Sequence, residues 1–347
     1  MVTTTITRPV LVTGGCGYIG SHVVKLLNAQ GRQVHVLDDL SAGRRENLPD
    51  AVGLTVGSVV EGPDVARALL TAERRFGRRV GAVLHFAALK SVSESMREPS
   101  RYYRVNVLGT LALLQSMKRL GVRELVFSST AAVYGAPRRA RPVIEHDDTE
   151  PANCYGQTKL IAEDMIRSFE RAGDLRAVCL RYFNAAGHDR DGELLAWESC
   201  PQSLIPVALE AAAGLRGPLT IYGADFETRD GTGERDYVHV EDLARAHARA
   251  LEWLSAGNCG ATLNLGSGRT TSVLEILEAI ERLTGVAVPH QIGARRPGEL
   301  ATISADSNWA QELLGWRARC SSIDTIIESS WRVLNRVFPV AIRARAG

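Results

Sequence analysis

The stretch TGGCGYIG, Thr13 to Gly20, limits what this chain can fold into more than any other. It follows a short apolar β-branched run, PVLVT, and opens a helical pattern, GYIGSHVVKLLNAQG, that closes at Gly31. An apolar run without alternation is what a strand buried on both faces requires. Gly14, Gly17 and Gly20 fit GxxGxxG, and Gly15, Gly17 and Gly20 also fit GxGxxG. Missing side chains at a strand-to-helix turn let the backbone approach a pyrophosphate, whose charge meets the N–H groups of the helix start. Glycines also build turns that hold nothing, so the triplet alone decides little. A second strand, QVHVLDD, ends on Asp38, at the spacing where a carboxylate meets ribose hydroxyls. The two features together predict a dinucleotide site. The carboxylate would repel a 2′-phosphate and so favours NAD over NADP, against a weaker pull from Arg44 and Arg45.

The same rhythm continues through VGAVLHFAA, RELVFSST and LRAVCLRYFN, each following a helical segment. Strands alternating with helices predict an α/β fold, a Rossmann-type doubly wound parallel sheet. Beyond Gly187 the alternation gives way to an irregular stretch up to Asp236. YVHVEDLARAHARALEWL then reads as a short strand and a helix, TLNLGSG as a strand, Ser272–Thr284 as a helix, and the end as a further helical stretch. We expect residues 1–187 to form an NAD-binding domain to which 236–262 return. Residues 188–235 and 263–347 would form a smaller α/β substrate domain.

Composition narrows the partners. With 41 basic and 39 acidic side chains in 347 residues, the chain has no field to attract nucleic acid or an anionic membrane. The basic run APRRAR, Ala136–Arg141, reads as a solvated loop. No apolar run approaches a membrane span, and the start MVTTTITRPVLVTGG lacks a secretory h-region. Six cysteines without a CxxC pair, and dispersed histidines, predict free thiols in the cytoplasm and no metal.

Tyr155 and Lys159 in NCYGQTKLIAED lie four residues apart, hence on one helix face. That spacing alone is commonplace. Beside a nicotinamide it acquires a meaning, because taking a hydride from a carbinol carbon requires a base for the hydroxyl proton. A phenol is a poor base near neutrality, and an ammonium one turn away, with a positive nicotinamide ring, would favour the phenolate.

The ordered set VTGGCGYIGSH, LHFAALKSVSES, NVLGT, FSSTAAVYG, YGQTK, RYFNAAG, DGTGERDYVHVEDLA, NLGSG and RRPGE resembles the extended short-chain dehydrogenase/reductase family. Within that family it looks like the UDP-glucose 4-epimerases, from Val10 to about Trp316. The resemblance implies a homodimer through two helices of the nucleotide domain, with NAD as cofactor and a UDP-sugar as substrate. It makes Tyr155 the base, Lys159 its partner and Thr130 the hydroxyl on the sugar O4. Gly14, Gly17, Tyr18, Ile19, Asp38, Phe86, Ala87, Lys90, Asn106, Ser128, Tyr155, Lys159 and Phe183 match cofactor positions. Lys90, Thr130, Tyr155, Asn184, Leu204, Tyr222, Arg235, Tyr237, Arg296 and Glu299 match substrate contacts. Among the departures from the family pattern, Ser58 stands where an aspartate usually meets the adenine, Cys154 replaces a proline before the tyrosine, Glu299 stands where aspartate usually meets the uridine ribose, and Ser203 where asparagine or histidine is common.

Relatives that go on to eliminate water or carbon dioxide need an acidic residue after the threonine or before Val-Tyr-Gly. This chain has Ala131 and Ala132 there. A 4-keto sugar made here can only take its hydride back, which predicts 4-epimerisation of UDP-glucose and UDP-galactose. Arg190, where the family usually has proline, suggests an alternative in which a guanidinium reads a C6 carboxylate, as in UDP-glucuronate. An ordinary dehydrogenase or an inactive nucleotide-sugar-binding protein is a remoter alternative. Ile303, at the family's sugar-pocket gate, is bulky and apolar and predicts poor use of N-acetylated sugars.

Overall fold

The computed structural model describes residues 8–136, 141–296 and 299–339. Most of the APRRAR run and the Pro-Gly of RRPGE lie outside the described residues. In chain order the elements begin β1 (Val10–Thr13), α1 (Tyr18–Ala29), β2 (Val34–Asp38), β3 (Gly53–Val56), α2 (Gly62–Phe76) and β4 (Ala82–His85). There follow α3 (Val92–Arg97), α4 (Pro99–Tyr102), a π-helical segment Tyr103–Leu108, α5 (Gly109–Leu120), β5 (Glu124–Thr130), α6 (Cys154–Arg171), β6 (Arg176–Tyr182) and β7 (Asn184–Ala186). The later part holds α7 (Leu204–Ala212), β8 (Leu219–Tyr222), β9 (Glu234–His239), α8 (Val240–Ser255), β10 (Ala261–Leu265) and β11 (Thr270–Ser272). It closes with α9 (Val273–Thr284), β12 (His290–Gly293), β13 (Thr302–Ile303), α10 (Asn308–Leu314) and α11 (Ile323–Val337).

Seven strands form one sheet in the order β10-β6-β5-β4-β1-β2-β3, and every pairing in it is parallel. The order runs outward from β1 in one direction and from β4 in the other, which is the doubly wound arrangement expected above. β1, β2 and β4 are buried at every residue, as strands covered by helices on both faces must be. One apolar core packs α1, α8 and α10 on one face through Val23, Leu27, Leu251 and Leu314. The other face packs α2, α5 and α6 through Leu69, Leu113, Met117 and Ile166.

β7, β9, β11 and β13 form a second, small sheet, and β8 pairs with β12. A third core joins α7, α9 and α11 through Ile205, Leu209, Ile280, Ile327 and Leu334. β7 falls before Gly187 yet pairs with β9, and β10 runs to Leu265 inside the large sheet. α7 and β8 occupy part of the stretch that reads as irregular, and β3 is a short strand that the apolar pattern hides, half of it partly exposed.

Candidate active site

The carboxyl ends of β1, β2, β4, β5 and β6 carry Gly14, Asp38, Phe86, Thr130 and Phe183 respectively. In a sheet of this order, ligands sit in the crevice outside those ends, where the winding reverses between β1 and β4. Gly14, at φ +71°, would place a Cβ 2.6 Å from the Ala87 amide nitrogen, and a Cβ on Gly20 would lie 2.2 Å from the Gly14 carbonyl. Both glycines let α1 and the chain after β4 close on the turn. A Cβ at Gly17 would meet nothing nearer than 3.4 Å, so this glycine leaves open space instead. α1 starts there with no side-chain cap and no acidic residue in its first turn. Its first N–H groups are therefore free to face an anion. Asp38 is buried; its Oδ2 accepts from the Cys16 N–H at 2.9 Å and its Oδ1 from Leu40 N–H at 2.9 Å. Burial pushes this carboxyl up, and the two N–H groups pull it back. Arg45 donates to the Leu48 and Val52 carbonyls, which ties down one of the two arginines that would favour a 2′-phosphate. This crevice fits a dinucleotide with unphosphorylated ribose.

Around it, Ile19 packs into the core beneath the sheet and Phe86 lies 4.6 Å from the His247 ring. The Tyr18 hydroxyl donates to the Gly187 carbonyl, and its ring lies 5.7 Å below the Lys90 ammonium. Lys90 itself is paired with Glu198. Asn106, in the π-helical segment, donates to the Leu89 carbonyl and the Thr158 hydroxyl, and its Oδ1 accepts from Leu89 N–H at 2.8 Å. The structure thus makes Asn106 a clamp between the chain after β4 and α6. Serine 128 contributes its carbonyl to the site, while its hydroxyl donates to Tyr182.

Asn153 caps α6, accepting from Gly156 N–H at 2.8 Å, and so fixes the first turn on which Tyr155 stands. Tyr155 is buried, with its N–H on the Ser95 hydroxyl at 3.1 Å and its phenol beside Thr130. One turn later the Lys159 ammonium donates to the Ser128 carbonyl at 2.8 Å and lies 4.7 Å from the Phe127 ring centre. The three residues expected to act together are in one place. Their electrostatics differ from the expectation in one respect. Burial pushes the Tyr155 phenol up, more than the neighbouring Thr130 hydroxyl pulls it down. Burial also pushes the Lys159 ammonium down to about 8, against the nearby Glu163 carboxylate. Desolvation penalises both charged forms, and lysine relieves its own penalty on a carbonyl and a ring face rather than on the phenol.

On the other side of the crevice, Asn184 of β7 is paired in register with Tyr237 of β9, and Arg235 with Ile303 of β13. Arg235 lies 3.6 Å from Glu299, and the Arg296 guanidinium stacks 3.5 Å over the Tyr222 ring. Glu299 Oε2 is buried with no hydrogen-bond partner among the described residues. Tyr237 lies within the third core and Leu204 starts α7 against it. Phe183 packs with Ala131, Val133 and Ile303. Arg190 is placed elsewhere. Its Nε donates to Glu241 Oε2 at 2.8 Å and its backbone N–H to Oε1 at 2.9 Å, so Glu241 at the start of α8 holds one edge of the guanidinium. Glu241 thus competes for the charge that the C6-carboxylate reading assigns to the sugar acid.

Sequence reasoning missed Ser95, Glu198 and the buried pair Glu163–Arg181. Glu163 follows Lys159 by four residues, the one signal that could have marked it. Among the described residues no helix is long and apolar enough to cross a membrane, and no cluster of three or more His, Cys, Asp or Glu could hold a metal ion.

Residues 10–266 match the model of the NAD dependent epimerase/dehydratase family. The UDP-glucose 4-epimerase of Azospirillum brasilense is 45% identical over 324 residues, 93% of this chain and 91% of that protein. The crystal structure of UDP-glucose 4-epimerase from Brucella ovis in complex with NAD superposes with a TM-score of 0.89 at 43% identity, covering 94% of this chain and 98% of that one. A UDP-glucose-4-epimerase from Stenotrophomonas maltophila, with bound NAD and formylated UDP-arabinopyranose, gives 0.90 at 37% identity, covering 98% and 100%.

Proposed function

The chain belongs to the NAD dependent epimerase/dehydratase family, and on that premise we infer that it is an NAD-dependent UDP-hexose 4-epimerase interconverting UDP-glucose and UDP-galactose. The observation that carries this reading is the buried Tyr155 with Thr130 beside it and Lys159 anchored on Ser128 at the mouth of the glycine crevice.

NAD held along that crevice would supply the acceptor for the C4 hydride and the donor for its return. Gly14, Gly17 and the start of α1 would hold its pyrophosphate, and Asp38 a ribose. Thr130 would hold O4 of the sugar while Tyr155 takes the O4 proton. Burial favours the neutral phenol, so this step depends on positive charge close by, and Lys159 supplies one. Ala131 and Ala132 put no carboxylate beside the 4-keto sugar, which leaves elimination without an acid or base. The sugar turns about its phosphate bonds and Tyr155 returns the proton on the other face. Arg235 and Arg296 suit a diphosphate, and the unpartnered Glu299 oxygen suits a ribose hydroxyl. Ile303, packed against Phe183, would narrow the pocket against N-acetylated sugars.

In this reading residues 1–187 with 236–262 bind the cofactor, and the remainder binds the nucleotide sugar. Incubation with UDP-galactose, with C4 configuration followed by proton NMR, tests the reaction. Stoichiometric release of NADH instead of the C4 epimer would make the protein a dehydrogenase.

We place the protein in the cytoplasm, where six free cysteines persist, and read it as a homodimer. Met96, Tyr103 and Leu108 are exposed apolar side chains along the segment leading into α5, a surface suited to a second copy. Sedimentation should give a dimer for the wild type and a monomer for Leu108→Glu. A wild-type monomer would exclude this assembly.

A further inference from the structure

Beneath the tyrosine and lysine lies a charged pair sealed from water. Glu163 is fully buried and Arg181 is 4% exposed. The Arg181 guanidinium grips the carboxylate as a fork, Nε to Oε1 at 3.0 Å and Nη2 to Oε2 at 2.6 Å. The Ser129 hydroxyl donates to the same Oε1 at 2.5 Å. Ser129 stands between Ser128, whose carbonyl receives Lys159, and Thr130, which lies beside Tyr155. Glu163 stands one helical turn beyond Lys159 on α6. The carboxylate thus touches both elements of the proton-transfer group at their junction. A buried pair of this kind costs desolvation that a well-packed apolar pair would avoid, so its presence calls for another explanation than stability.

We infer that Glu163 is a positioning residue. Locked between Arg181 and Ser129, its carboxylate ties the end of β5 to α6 and keeps Lys159 charged against the Ser128 carbonyl. The inference rests on the epimerase reading for its kinetic consequence, but not for its electrostatic one. The groups around Lys159 and Glu163 are few. Arg181 and Cys179 face them from β6, His85 from β4, Tyr134 from the turn after β5, and Arg167 from α6 itself, 3.4 Å from Glu163 Oε2. Glu163 is the carboxylate that holds the ammonium up against burial. Removing its charge lowers the pH at which Lys159 gives up its proton.

The chain has four lysines, Lys25, Lys90, Lys118 and Lys159, so a 13Cε-lysine NMR titration of the NAD-bound protein resolves Lys159 directly. Glu163→Gln should move its midpoint down by at least ~1 pH unit. The alkaline limb of kcat on UDP-galactose should move down with it, kcat at neutral pH falling about tenfold with KM within about twofold. Ser129→Ala keeps the charge but cuts the tether; it should lower kcat and leave the midpoint in place. An unmoved midpoint in folded Glu163→Gln overturns the inference, as does wild-type kcat in Ser129→Ala. If Glu163→Gln does not fold, Glu163→Gln with Arg181→Met removes the pair together and is judged by the same midpoint. A wild type that turns over neither UDP-hexose, with the midpoint still lowered in Glu163→Gln, would refute the epimerase reading and leave the positioning role standing.

Discussion

Tyr155 is a phenol placed where its charged form is least welcome, in a buried site beside the Thr130 hydroxyl. Such a group retains its proton until positive charge is assembled around it, which makes proton transfer conditional on a filled site. Phenylalanine at this position keeps the ring and its packing and removes only the oxygen. Tyr155→Phe should therefore retain NAD and UDP-sugar affinity and lose turnover by at least ~100-fold, the usual scale of a general base. Isothermal titration beside steady-state rates checks both halves, and near-normal turnover would remove Tyr155 from its role. The pair Tyr155 and Lys159 was legible because residues four apart on a helix share a face. The ion pair of Arg190 was not legible for the converse reason. Its partner Glu241 is remote in sequence, and nothing in a linear chain shows which charge a fold will bring to neutralise another. The same remoteness hid Arg181 from Glu163.

At the level of elements, the first turn from strand to helix is the most legible part of the molecule, because its requirement is steric and local. A Cβ on Gly20 would overlap the Gly14 carbonyl at 2.2 Å, and backbone on both sides leaves no side chain to move aside. Gly20→Ala should push α1 off β1, cost roughly 1–3 kcal/mol as an overpacked site does, and strip NAD from the purified protein. Urea unfolding and cofactor content after gel filtration measure the two effects; an unchanged NAD content would mean that the turn does not hold the cofactor. β2, β4, β5 and β6 were legible through their buried apolar runs. β3 was not, since GLTV begins with glycine and ends on an exposed valine. α7 and β8 were hidden by the glycines and prolines around them, and the pairing of β7 with β9 depends on contacts between residues fifty apart.

Across the whole molecule, the histidines form a store of acid sensitivity. His22 on α1, His188 after β7 and His239 at the end of β9 meet beside α11, where Ser330 and Ser329 hydrogen-bond His188 and His239. Burial lowers all three, His239 to about 4 and His188 well below its ordinary value, and their mutual repulsion adds to it for His188. His35, His85 and His247 are likewise pushed down by burial, to about 4, about 3 and about 4. The sign follows from proton counts. Below about pH 6.5 the unfolded chain binds protons on these rings and the folded chain does not, so stability is fully present above 6.5 and is lost as pH falls toward 4. Asp38 and Asp236, whose carboxyls burial pushes up, act in the opposite sense as pH falls through their raised range. His188 offers a direct test, because its ring stacks on Trp197 at 4.8 Å and phenylalanine preserves that contact without a titrating nitrogen. His188→Phe forfeits the Ser330 hydrogen bond and should start less stable at pH 7.5. Between pH 7.5 and 5 it should lose about 2 kcal/mol less than wild type, the contribution of one ring held neutral through 1.5 pH units. Urea denaturation at the two pH values measures the difference, and equal losses in both proteins would show that this histidine titrates alike folded and unfolded.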